Sequence, residues 1–131
     1  DEIDPNEESD ITLHEEHLSI PEGVEVYEIN GPYFFGIANK FEEVMLQTKQ
    51  RPKVRIIRMR KVPFIDSTGI HNLTNLCAMS HKENIHVILS GVTDPVHRVL
   101  EKSGFNEMLG KRHICSHINE ALEEARKYVE K

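Results

Sequence analysis

The residues with the clearest chemical potential are Asp66, Ser67, Thr68 and Gly69, which place a carboxylate and two hydroxyls in consecutive positions. They follow an apolar segment and precede a stretch of helical periodicity, so they are expected to lie between a strand and the helix that follows it. The first N–H groups of a helix have no internal partner and form an electropositive end that stabilises anions. Two interpretations stay open. Either Asp66 or Ser67 caps the helix, or Thr68 accepts a phosphate group at this anion-tolerant end.

Four basic side chains lie shortly before this run, namely Arg55, Arg58, Arg60 and Lys61. Arg58 and Arg60 are expected to share one face of a strand, from which the cluster could hold a phosphate, a nucleotide or an acidic partner. The alternative is a solvated edge paired with some of the 22 acidic side chains. No Gly-x-x-x-x-Gly-Lys loop is present, which disfavours ordinary P-loop nucleotide binding.

The sequence gives weaker support for a metal site or a catalytic site. His113, Cys115 and His117 would share one face of an extended segment, but a fourth ligand is missing, so we interpret them as a packed cysteine between surface histidines. The run of residues 14–17 lacks the third intervening residue of a zinc-protease motif. No Ser, His and Asp arrangement emerges either. We therefore predict no catalytic residue, no metal and no cofactor. The aromatic run of residues 33–35 either packs or forms a docking patch.

Hydrophobic periodicity predicts strands that alternate with helices. Such alternation indicates an α/β fold with a mainly parallel central sheet and about four helices, and it places the functional crevice beyond the carboxyl ends of the strands, where Asp66 lies. The predicted strands are 24–29, 54–59 and 85–89, with a brief extended piece near Ile114. The predicted helices are about 36–48, 66–82, 94–104 (capped at Asp94-Pro95 and ended by Gly104) and a last one carrying residues 118–129.

Composition bounds the class of protein. A chain of 131 residues with 38% hydrophobic residues suits one domain, and the net charge of −6 argues against nucleic acid. Two cysteines suit a reducing compartment, and no segment has the roughly 20 apolar residues of a membrane span. Residues 1–20 open on an acidic run that begins at Asp1 rather than Met. We expect them to be a linker, and residues 21–131 a module of a larger protein.

The run Asp66-Ser67-Thr68-Gly69-Ile70-His71 resembles the signature of STAS domains, which are shared by bacterial anti-sigma factor antagonists and SulP/SLC26 anion transporters. In the antagonists the second hydroxyl residue is phosphorylated, which implies that role for Thr68 and a supporting role for Asp66. The stretches 28–41 and 58–66 resemble the transporter branch, through Gly31-Pro32, the aromatic residues that follow, and the Ala-Asn at 38–39. The resemblance covers about residues 20–129.

The resemblance implies a STAS fold and a non-catalytic, cytosolic regulatory or interaction domain of a secondary transporter for sulfate or another anion. Its partners would be the membrane domain of the same transporter at the inner (plasma) membrane, a regulatory protein and, weakly, a guanine nucleotide. Asn30, Arg58 and Arg60 are candidate supporting contacts. One alternative is a stand-alone anti-sigma factor antagonist regulated by phosphorylation of Thr68. Another is a small enzyme or nucleotide-binding protein that uses the helix end.

Overall fold

A four-stranded sheet forms the centre of the part of the chain that the computed structural model describes, which is residues 11–13, 20–31 and 51–130. β1 pairs antiparallel with β2, whereas β2, β3 and β4 are parallel neighbours. The parallel strands are rich in Val and Ile, as expected of strands that are buried on both faces. The strands are β1 (Ile11–Leu13), β2 (Val24–Ile29), β3 (Val54–Arg58) and β4 (His86–Ser90), and they lie in that order across the sheet.

Four α-helices and one short 3-10 helix lie in the described part of the chain. This pattern confirms the predicted α/β class with its mainly parallel sheet. Within these residues no helix is both long and apolar enough to cross a bilayer. The helices are α1 (Ser67–Lys82), α2 (Asp94–Lys102), α3 (Phe105–Leu109), the 3-10 helix Lys111–His113, and α4 (Ile118–Val129).

The sheet is covered on both faces because alternate residues of each strand point to opposite sides. On one face, Tyr27 and Ile29 of β2 share a buried cluster with side chains of α1, α2 and α3. On the other face, Val24 and Val26 pack in a second cluster with Cys115 and the apolar side of α4. α1 therefore has one buried side, and its first two residues, Ser67 and Thr68, are exposed at the surface.

The structure departs from the predicted elements in several places. Residues 11–13, within the predicted linker, pair with β2, while the predicted helix at 36–48 and residues 1–10 and 14–19 lie outside the described residues. Thr93, rather than Asp94, is the cap residue of α2, although proline in the first turn is confirmed. α2 ends at Lys102, shortly before Gly104, where its end was predicted. The short helix α3, which was not predicted, begins at Phe105. Five residues are too few to show helical periodicity.

Candidate functional site at the start of the first helix

Asp66 is the cap residue of α1. Its backbone is extended, and its Oδ1 accepts a hydrogen bond of 2.8 Å from the Gly69 N–H. Its carbonyl accepts the first intrahelical bond, of 2.9 Å, from the Ile70 N–H. The capping interpretation is therefore confirmed for Asp66, whereas Ser67 is the first residue of the helix. A cap of this kind stabilises a helix by about 1 kcal/mol.

The two hydroxyl residues lie at the surface beside this cap. Ser67 and Thr68 are exposed, whereas Gly69 is buried against the rest of the domain. The first turn carries no acidic side chain, so the positive helix end is opposed there only by the capping carboxylate. A negative charge added at Thr68 would thus lie in a favourable field without displacing a buried group. No contact of the described residues tests whether Thr68 is modified, and its phosphoacceptor role stays a prediction.

The loop between β3 and α1 is anchored where it leaves β3. The Met59 N–H donates to the Ser90 carbonyl at 2.7 Å, and the Val62 N–H closes a turn on the Met59 carbonyl at 3.0 Å. Val62 and Ile65 are buried, whereas the side chain of Phe64 between them is 49% exposed. The sequence prediction did not single out Phe64. The signal available was a large aromatic residue in the loop that precedes the hydroxyls, where it is an exposed apolar side chain four positions before Thr68.

The four basic side chains do not all lie together, because Arg55 contacts α1 whereas the other three lie around the Glu28 carboxylate. Arg55 is buried, and its Nη1 donates to the Ser80 Oγ at 2.9 Å, so it belongs to the packing of α1 on the sheet. Arg58 is buried at the end of β3, and Arg60 lies in the following turn. The expectation that Arg58 and Arg60 share a strand face was therefore wrong, because the strand ends between them.

Glu28 of β2 holds the turn that leads to the site. Its carboxylate accepts from the Arg60 Nε at 2.6 Å and the Arg60 Nη2 at 3.3 Å, and the Lys61 Nζ lies 3.8 Å away. Burial alone would raise the pKa of Glu28, but the Arg60 hydrogen bond and the charges of Arg60, Lys61 and Arg58 outweigh it, so that pKa lies below its usual value. The sequence prediction missed this residue, since a pairing across 32 positions leaves no local pattern.

The remaining predicted supporting residue, Asn30, lies just beyond the carboxyl end of β2 and is half-buried. Because β2, β3 and β4 are parallel, the chain after each of them emerges at the same edge of the sheet. Asn30, Glu28 and the loop to Asp66 therefore belong to one edge, which we call the carboxyl edge. The aromatic run 33–35 lies outside the described residues.

The histidines around Cys115 do not form a metal site in the described residues, which contain no group of three or more His, Cys, Asp or Glu side chains able to hold a metal. Cys115 is buried, and burial followed by the charges of Glu120 and Glu124 raises its pKa to about 11. His117 is exposed, as predicted. The prediction of a surface position was wrong for His113, whose side chain is only 13% exposed and contacts Tyr128.

Comparisons with known proteins agree with this arrangement. The family model described as "STAS domain" matches residues 17–125. YvdB of Bacillus subtilis, whose name assigns it to the sulfate transporters, is 30% identical over 98 residues, which are 74% of this chain and 18% of that protein. The chain thus spans less than a fifth of the length of this curated relative.

Solved structures give the same picture. A sulfate transporter family protein from Wolinella succinogenes is 43% identical, with a TM-score of 0.80 over 87% of this chain and 93% of the other. The STAS domain of a SulP transporter from Vibrio cholerae is 34% identical, with a TM-score of 0.76 over 86% and 88%. An anti-sigma factor antagonist from Mycobacterium paratuberculosis shares the fold alone, at 18% identity and a TM-score of 0.66 over 88% and 94%.

Proposed function

Because the chain belongs to the STAS domain family, we propose that it is a cytosolic regulatory domain of a SulP-type transporter of sulfate or a related anion. The observation that carries this proposal is the 34% identity to a SulP STAS domain over 86% of the chain, against 18% to an anti-sigma factor antagonist. In this proposal the domain lies at the cytoplasmic face of the inner (plasma) membrane and catalyses no reaction. Transport takes place in a membrane portion outside these residues, which is the domain's first partner.

Within this function we assign the regulatory contact to the start of α1. Asp66 fixes the helix end through the Gly69 N–H, while Thr68 is exposed in the first turn of the helix. Phosphorylation would add about −1.5 to −2 charges at Thr68, at a helix end that favours anions. The fold would be retained while the surface offered to a partner changed its charge. Exposed Phe64, four positions earlier in the chain, would supply apolar contact area for such a partner.

The supporting role of Arg60 in this proposal is positional. Its guanidinium is taken by Glu28 at 2.6 Å, so it holds the turn ahead of the site rather than meeting a ligand. Arg58, buried at the end of β3, and Asn30, at the end of β2, would shape the same carboxyl edge. A regulatory protein is the second partner we assign to this edge, and weak binding of a nucleotide is a third interaction to be measured there.

The alternative function is a stand-alone anti-sigma factor antagonist that is switched by phosphorylation of Thr68. The shared fold and the run from Asp66 to Gly69 favour it. The two functions require different genes. A transporter requires membrane segments in the same protein, whereas an antagonist acts as a separate small protein.

The first test of the proposal is to determine the coding sequence upstream of Asp1. We expect several segments of about 20 apolar residues each, the length needed to span a bilayer. A start codon immediately before Asp1, with no such segment in the gene, would contradict the transporter function. The antagonist would then be tested by capture of a kinase-like partner on the domain, with Thr68→Glu expected to abolish the capture.

A further inference from the structure

Three rings from distant parts of the chain form a cluster beneath the last turn of α4, which we call the histidine–tyrosine cluster (His86, His113 and Tyr128). The rings of His86 and Tyr128 are stacked, with centroids 3.8 Å apart and planes 22° apart. His113 meets both rings edge-on, and its Nε2 lies 2.7 Å from the Tyr128 hydroxyl. All three residues are partly buried.

The cluster joins three elements at the amino end of the parallel strands. His86 is the first residue of β4, and its N–H donates to the Lys53 carbonyl at 2.9 Å. His113 closes the 3-10 helix, and Tyr128 lies in the last turn of α4. A five-residue strand is about 16 Å long, so the cluster lies at the opposite edge of the sheet from Asp66. It belongs to a different part of the molecule from the site described above.

The charged groups around the cluster influence how readily its rings take up a proton. The Glu124 Oε2 of α4 lies 3.8 Å from the His113 Nε2, but the other oxygen of that carboxylate already binds the Lys127 Nζ at 3.0 Å. His81, at the end of α1, favours a lower pKa for both histidines. The charge of Arg112, in the 3-10 helix, favours a lower pKa for Tyr128. A proton on His113 would thus meet a carboxylate that Lys127 already engages, whereas a proton on His86 would meet the neighbouring His81.

The electrostatic consequence has the same direction at both histidines. Burial lowers the pKa of His113, and the nearby His86 and His81 add to that effect, while the attraction of Glu124 and a hydrogen bond to the Val87 backbone offset only part of it. Burial and the neighbouring His81 lower the pKa of His86. The folded state therefore favours the neutral form of both imidazoles. The stability that they contribute is complete above the ordinary imidazole pKa of about 6.5 and is lost as the pH falls below it.

We propose that the histidine–tyrosine cluster is a pH-sensitive contact. It holds α4 to the sheet near neutral pH and weakens on acidification, so that α4 packs less tightly. α4 covers one face of the sheet through Ala121, Leu122 and Ala125, so loosening its last turn would weaken the cover of the second core cluster. The device responds to protons at the amino edge and leaves the Asp66 site at the carboxyl edge intact. It requires no ligand and stands independently of the transporter function.

Amide hydrogen exchange, measured by NMR and corrected for intrinsic rates, tests this at about pH 7.5 and about pH 5.5, on either side of the ordinary imidazole pKa. The protection of α4 amides is expected to fall at the lower pH, by up to about tenfold for each pKa unit lost on folding, and to fall further than that of β3 amides. Equal protection of α4 at both pH values, or an equal fall in β3, would overturn the proposal.

Substitutions assign the effect to the cluster. His86→Phe keeps a ring on Tyr128 without a titrating nitrogen, and combining it with His113→Gln should remove the extra loss of protection at low pH. His117→Gln removes an exposed histidine at the start of α4 and should leave the loss unchanged. A double variant that keeps the loss would overturn the proposal. If that variant does not fold, titration of the histidine ring signals in the unaltered protein decides, since titration of both at the ordinary value would overturn it.

Discussion

Asp66 and Thr68 lie two positions apart, yet their side chains have different surroundings. The Asp66 carboxylate turns back to the Gly69 N–H and is part of the helix, whereas the Thr68 side chain faces outward. This division is what a regulatory site needs. A chemical change at Thr68 can alter the surface without removing the interaction that begins α1.

The structural role of Asp66 can be measured by substitution. Asp66→Ala removes the acceptor of the Gly69 N–H, and we expect the free energy of unfolding to fall by about 1 kcal/mol. Asp66→Asn keeps an acceptor oxygen and should retain most of that stability. Denaturant unfolding of the two variants and the parent provides the measurement. An alanine variant as stable as the parent would contradict the capping role.

Glu28 gives a pH-dependent prediction at the same scale. Its folded pKa lies below its ordinary value of 4.5, so its ion pair with Arg60 stabilises the fold above that pH and the stabilisation is lost as the pH falls further. Glu28→Gln should cost about 1–3 kcal/mol at neutral pH, as for a hydrogen bond to a charged group. The variant should also lose less stability than the parent between about pH 6 and about pH 3.

The matched control for Glu28 is Glu83→Gln. The Glu83 side chain is 47% exposed and lies 4.0 Å from Arg51, so its substitution should change stability by less than about 0.5 kcal/mol and leave the acid dependence as in the parent. An identical acid dependence in the Glu28→Gln variant would show that the buried pair does not contribute to it.

At the scale of elements, the turn after β3 and the start of the β4–α2 loop lie in close contact. Gly91 has a φ of +67°, and a Cβ added there would lie 2.9 Å from the Arg60 Cβ and 3.0 Å from the Arg60 nitrogen. Glycine is required at this position both by its backbone conformation and by the approach of the neighbouring chain. The same turn is held from the other side by Glu28, so two loops and one strand together fix the path to Asp66.

A pair of alanine substitutions separates these two requirements. Gly91→Ala combines the strain of a positive φ with the clash against Arg60, and we expect it to cost about 2–4 kcal/mol. Gly104→Ala has a φ of +84° but open space around the added Cβ, so only the conformational cost of about 1 kcal/mol applies. Thermal and denaturant unfolding measure both. Equal losses would contradict the close approach at Gly91.

Regular patterns made some elements predictable and left others hidden. The apolar positions Leu73, Leu76 and Cys77 recur at helical spacing and do form the buried side of α1. The short helix α3 has too few residues for a period, and β1 has three residues whose pairing is set by β2 rather than by their own sequence. Tertiary packing decides such short elements, and a local pattern does not contain that information.

The candidate site shows the same limit. The motif at Asp66 located the helix start because a cap is a local interaction. The pairing of Arg60 with Glu28 and the burial of Arg55 depend on contacts 32 and 25 positions away. A local pattern therefore could not show that Arg55 contacts α1 while the other three basic side chains lie around one carboxylate. The sequence therefore predicted where α1 begins but not how the charged side chains near that point are paired.

For the molecule as a whole, the parallel sheet separates two regions with different chemistry. The carboxyl edge carries the Asp66 cap, exposed Thr68 and the Glu28 ion pair, whereas the amino edge carries the histidine–tyrosine cluster under α4. The α1 to α3 cluster and the α4 cluster cover opposite faces of the sheet. A domain of this kind can offer one edge to a partner while the other edge responds to its surroundings.

The measurement that tests the central claim most directly is uptake of labelled sulfate by cells that express the complete protein with Thr68→Glu. We predict that uptake falls by about fivefold or more, which corresponds to a coupling of about 1 kcal/mol between the site and transport, while the amount of protein in the membrane is unchanged. Thr68→Ala should transport like the parent. So should Ser116→Glu, which adds the same charge at an exposed position just before α4. Uptake by Thr68→Glu equal to that of the parent, or an equal loss in Ser116→Glu, would contradict a regulatory site at the start of α1.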